Sequence, residues 1–115
     1  MRSINADPVR GKTLHFTFDD GPMAGKTFEH RFTDDGTVSY HAVGGDKADP
    51  PSKPVTYEFA QINDDIYVVA YLGAAGYTLT SVLDYATGHL TGFASNATSL
   101  VTQHGRFATP KQPAS

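Results

Sequence analysis

The strongest constraint on this chain is the run Ile66–Leu72, Ile-Tyr-Val-Val-Ala-Tyr-Leu, which has no polar face. At strand spacing, alternate side chains point to opposite sides. Tyr67, Val69 and Tyr71 therefore share one face, and Ile66, Val68, Ala70 and Leu72 share the other. A strand that is apolar on both faces needs cover on both. A core covers one side, and another surface must cover the second. Two further strand-like runs follow at once, Tyr77–Asp84 and His89–Ser95, separated by glycine-containing breaks at 73–76 and 85–88. Successive strands joined by short turns make an antiparallel meander.

The chain before this stretch repeats the pattern. Lys12–Phe18 alternates Leu14, Phe16 and Phe18 with Thr13, His15 and Thr17. Lys26–Phe32 sets Phe28, His30 and Phe32 against Thr27, Glu29 and Arg31, and Thr37–Val43 sets Val38, Tyr40 and Ala42 against Ser39 and His41. Asp35-Gly36 between the second and third runs is hairpin chemistry, because glycine supplies a positive φ at little cost. Residues 44–54, rich in Gly, Asp and Pro, form the longest break, a surface loop that can act as a lid. Val55–Ile62 gives a fourth strand and Ser99–Phe107 a weaker eighth. Residues 1–10 are expected to be an arm and 108–115 a tail.

No segment has a helical period. The fold class is therefore all-β, one domain across 1–115, built as an eight-stranded antiparallel up-and-down barrel. Closure removes the exposed edges of such a meander. A two-sheet sandwich is the alternative, and it usually needs more long crossovers than the single one here.

Net charge is −3, with a pI near 5.9 and no basic block, so no nucleic-acid partner is expected. No apolar run approaches the ~18 residues of a membrane span, and residues 1–10 lack the apolar centre of a signal peptide. Cysteine is absent, which excludes disulfides and thiolate chemistry. A cytoplasmic location is the default.

Thr17-Phe18-Asp19-Asp20-Gly21-Pro22 matches the first motif of polysaccharide deacetylases, in which an Asp pair serves as metal ligand and base. That chemistry also needs a His-x-x-x-His pair. His15, His30, His41, His89 and His104 contain none, and a deacetylase barrel needs helices and roughly 200 residues. The motif is read as a strand ending in an acidic turn. No other metal-ligand spacing, phosphate loop or nucleophile elbow is present, so no metal and no cofactor are expected.

The feature with chemical content is an aromatic face that carries a histidine: Phe16, Phe18, Phe28, His30, Phe32, Tyr40, Tyr57, Phe59 and Tyr71. A small barrel either fills its interior with such side chains or holds one ligand. Filling alone needs no phenol or imidazole, and buried Tyr and His require polar partners.

Several segments in order carry a family resemblance. They are Gly11-Lys12-Thr13-Leu14-His15-Phe16-Thr17-Phe18-Asp19-Asp20-Gly21, Phe28-Glu29-His30-Arg31-Phe32, Asp35-Gly36-Thr37-Val38, Tyr67–Leu72, Gly76–Asp84 and Gly88–Asn96. Together the chain resembles the MoaF-like family, bacterial proteins of calycin (lipocalin-like) barrel fold, from about Gly11 to Phe107. None of these residues points to pterin or molybdate chemistry. A more distant likeness is to phenolic acid decarboxylases, similar barrels that work without a cofactor. Their two first-strand tyrosines correspond to Phe16 and Phe18, which lack the hydroxyls, and their catalytic Glu corresponds to Gly73. That likeness argues against decarboxylation. It implies that Phe16, Phe18 and Tyr71 face inward, and with them Tyr67 and Val69.

The expected function is binding of a small hydrophobic or aromatic molecule in the interior, by Phe16, Phe18, Phe28, His30, Tyr40, Tyr57, Phe59, Tyr67 and Tyr71. The alternative is a cofactor-independent lyase, isomerase or cyclase with His30 as general acid/base. A third reading makes the chain a structural or partner-binding module. In each case the outward set Ile66, Val68, Ala70 and Leu72 is the expected homodimer surface. The inner face of the last three strands stays open between Thr78, Thr80 and Val82 and the set Tyr77, Leu79, Ser81 and Leu83.

Overall fold

The computed structural model describes residues 8–43, 52–73 and 76–109. Its strands are β1 (Thr13–Phe18), β2 (Thr27–Phe32), β3 (Thr37–Val43), β4 (Val55–Gln61), β5 (Ile66–Leu72), β6 (Thr78–Asp84), β7 (His89–Ser95) and β8 (Leu100–Ala108). Each pairs antiparallel with the next, and β8 returns to β1, so the eight strands close into a barrel. Among the described residues there is no α-helix, and no helix is long and apolar enough to cross a membrane.

The alternating sequence sets the strands. β3, β5 and β7 have the bounds expected from it, and β8 extends to Ala108, one residue into the expected tail. Most of the expected arm (1–7), lid loop (44–51) and tail (110–115) lies outside the described residues.

The β1–β8 seam shows what the acidic turn after β1 does. Phe18 lies opposite Gly105 in the register. A Cβ at position 105 would collide with the Thr17 carbonyl oxygen, so only glycine allows this approach. Beyond the last pair, Asp20 accepts the His104 backbone N–H at 2.7 Å and meets the His104 ring Nδ1 at 2.9 Å. Arg106 donates to Asp19 at 3.1 Å. The backbone N–H of His104, then its ring, holds the Asp20 carboxyl below its ordinary value. No group of His, Asp and Glu among the described residues could hold a metal ion. The Asp-Asp pair fastens the closing strands.

The β3–β4 seam is looser. β3 and β4 share only the pairs Thr37–Thr56 and Val38–Val55. Above them, Ser52 continues the wall: its N–H donates to the Tyr40 carbonyl, and its hydroxyl accepts the Tyr40 N–H.

The interior has two halves. Near the β2–β3 turn, Val9 closes the end of a solid cluster with Leu14, Phe32, Val38, Tyr57, Val69, Leu83, Leu90 and Phe107. Phe32 and Tyr57 pack edge to face there with ring centres 5.1 Å apart. The other half, toward the β1–β2 turn, is hollow.

On strand β5 the division between faces is as expected. Tyr67, Val69 and Tyr71 are buried, Ile66, Val68 and Ala70 are half-buried, and Leu72 is 68% exposed.

Candidate functional site

The hollow half contains a cavity of about 310 Å³. Phe16, Phe18, Phe28, His30, Tyr40 and Tyr71 line it, all from the aromatic set marked in the sequence. The pleat explains their convergence. Phe16 pairs with Phe28, and His30 with Tyr40, so one inward row from β1 to β3 faces Tyr71 on β5.

The other three expected site residues do not line it. Tyr57 packs on Phe32, Tyr67 packs edge to face on Tyr85 at 5.6 Å, and Phe59 lies against the solid core. They point inward as expected but at levels the core occupies.

Sequence reasoning missed the remaining wall: Pro22 and Met23 from the β1–β2 turn, Tyr77, Leu79, Thr80 and Ser81 from the β6 side, Gly92, Phe93 and Ala94 from β7, and Val101 and Gln103 from β8. Burial settles the open register on β6, where Ser81 and Leu83 face in. The signal for β8 was present in the sequence. Thr102, His104 and Arg106 form a polar row that belongs outside, which turns Gln103 and Phe107 inward.

His30 sits at the centre of the aromatic wall. It stacks on Phe16 with ring centres 4.1 Å apart and on Tyr40 at 5.5 Å. Its Nε2 lies 2.5 Å from the Tyr71 hydroxyl. Burial pushes the imidazole pKa down to about 3. The Phe28 carbonyl favours the charged form, but Nδ1 completes no hydrogen bond with it. Tyr71 is pushed upward, first by burial and then by the neighbouring Tyr40. At neutral pH both groups are therefore uncharged, and the ring is a weak base. The pair fits a rigid polar strut in an aromatic wall better than a proton-transfer centre.

No Asp, Glu, Lys or Arg lines the cavity among the described residues. The arrangement offers stacking area and neutral hydrogen-bonding groups, and no anchor for a charge.

The profile of the MoaF-like family matches residues 10–108. The chain belongs to the MoaF-like family. The match spans every strand, so the family's sequence pattern covers both the solid and the hollow half of the barrel. Among solved structures, the chain is similar to one titled "putative beta-lactamase" from Burkholderia vietnamiensis. The two are 23% identical with a TM-score of 0.73, and the match covers 90% of this chain and 97% of that one. At that identity the likeness concerns the fold of this MoaF-like protein alone. A search of curated proteins finds no match.

Proposed function

We propose that this MoaF-like barrel binds a small apolar or aromatic molecule in its hollow half. The cavity itself carries the reading: about 310 Å³ walled largely by aromatic side chains, with no charged residue on it among the described residues. That volume is at the lower end of the roughly 300–1,000 Å³ of ligand pockets. At ~30 Å³ per water it corresponds to about ten waters, enough room for a one- or two-ring molecule. Phe16, Phe28 and Tyr40 supply faces to stack on, and His30 and Tyr71 stiffen the wall. A thermal-shift screen with aromatic hydrocarbons, phenols and cyclic ketones tests this. Binding to the native state raises the unfolding midpoint, by about 2.7 kcal/mol of stability at a hundredfold excess over Kd. A screen in which no apolar compound stabilises the chain would count against the reading.

Hydrolysis of β-lactams, the activity in the structural neighbour's title, has no support here. The sequence contains no Ser-x-x-Lys, the nucleophile motif of serine enzymes of that kind.

A second proposal concerns the outer face. Val68 lies between Ala60 and Val82, Ala70 between Glu58 and Thr80, and Ile66 and Leu72 lie opposite Asp84 and Thr78, so Ile66, Val68, Ala70 and Leu72 form an apolar strip bordered by the carboxylates of Glu58 and Asp84. A second copy of the chain is the proposed cover, with the protein acting as a cytoplasmic homodimer. Sedimentation at low micromolar concentration should give twice the chain mass, reduced to one by Leu72→Glu. A wild-type monomer would exclude it.

A further inference from the structure

The aromatic wall of the cavity faces a different wall made by β6, β7 and β8. Ser81, Gly92 and Gln103 are direct neighbours there, Ser81 opposite Gly92 and Gly92 opposite Gln103. Ser81 is 6% exposed and Gln103 8%, and both line the cavity. Buried polar side chains normally have partners. The Ser81 hydroxyl has none among the described residues, yet it is not sealed in packing and so borders the cavity.

Gln103 is half used. Its Oε1 accepts the Met23 backbone N–H at 3.0 Å. That bond fixes which way the amide points, because a flip would set its NH2 against another donor. Nε2 is left as a donor with no partner among the described residues, and it too is not sealed in packing. Gly92 places no side chain between the two groups. The row is therefore a gap flanked by two neutral hydrogen-bonding groups.

We infer that Ser81 and Gln103 form the polar end of the cavity and select uncharged ring compounds bearing a carbonyl acceptor, such as aromatic ketones and lactones. The inference rests on the cavity binding proposed above and names its ligand class. Nε2–H and the serine O–H match a carbonyl oxygen, while the rings stack on Phe16 and Tyr40. A carboxylate of the same size is excluded, because it would lose its hydration without meeting a cation.

Three probes of similar size separate the possibilities by titration calorimetry or ligand-observed NMR: coumarin, naphthalene and 1-naphthoate. Coumarin should bind about tenfold tighter than either of the others, as expected for one or two well-made hydrogen bonds. Ser81→Ala and Gln103→Leu should each bring coumarin to within about threefold of naphthalene, with the affinity for coumarin changing more than that for naphthalene. Gly92→Ala, whose new Cβ meets Phe18 at an ordinary 3.5 Å, should fold and weaken coumarin. If Gln103→Leu fails to fold through loss of the Met23 bond, Ser81→Ala and Gly92→Ala decide. Equal binding of coumarin and naphthalene, unaffected by these variants, would overturn the polar end while leaving the cavity reading intact. Naphthoate binding as tightly as coumarin would overturn the restriction to uncharged compounds. Binding of none of the three would remove the cavity reading and this inference with it.

Discussion

The two halves of the barrel are built from the same alternating strands, yet one is solid and the other hollow. In the solid half, Phe32, Leu83 and Leu90 are fully buried in one cluster, and Val9 closes the end. In the hollow half, β6 and β7 contribute Ser81, Gly92 and Ala94, which leave space that the aromatics opposite do not fill. Inward alternation alone does not make a core. Side-chain volume at each level decides whether the barrel packs or binds.

The halves should respond differently to truncation. Phe32→Ala in the solid half should cost about 3–5 kcal/mol by urea denaturation, the usual result for a fully buried Phe. An effect below about 1 kcal/mol would mean that this half is not close-packed.

His30 gives the next largest effect. Its folded pKa of about 3 lies below the ordinary 6.5, so between these values the unfolded chain binds more protons than the folded one. Stability therefore falls as pH drops below about 6.5, with a slope approaching 1.4 kcal/mol per pH unit. The lowered carboxyls Asp20, Glu29 and Asp35 act only near and below their ordinary values of 3.8 and 4.5, so above about pH 5 they add little to that slope, and the His30→Gln variant assigns it. Urea titrations across that window should show the slope in wild type and its loss in His30→Gln. Identical slopes would mean that the imidazole is not buried.

Phe28→Ala, in the hollow half, should cost least, about 1 kcal/mol, because its ring is only half-buried beside open space. It should instead lower affinity for an apolar ligand several-fold. A stability loss as large as that of Phe32→Ala would erase the distinction between the halves.

The strands were legible because a pleat writes its period directly into the sequence. Closure was legible because an eight-stranded meander has two edges to protect, and joining the last strand to the first removes both. The aromatic side of the cavity was legible for the same reason, and Phe16, Phe28, His30 and Tyr40 share one inward row. Two things were not. Tyr57, Phe59 and Tyr67 read like cavity residues, and only the stagger of the strands puts them at the level of the solid core. The wall opposite was hidden because β6 alternates small polar residues on both faces, so Ser81 and Thr80 look alike until the register is known. The acidic turn carried a misleading enzyme motif; its role lies in contacts with His104 and Arg106, distant in sequence.

The central claim is that ligands enter the hollow half and leave the solid half untouched. The direct measurement is a titration of the isotope-labelled chain with naphthalene, followed by side-chain NMR shifts. The account predicts saturable shifts at Phe16, Phe28, Tyr40, Leu79 and Ala94, with Phe32, Tyr57, Leu83 and Leu90 unmoved. Shifts confined to exposed Leu72 and Leu100, or no saturable shifts at all, would contradict it.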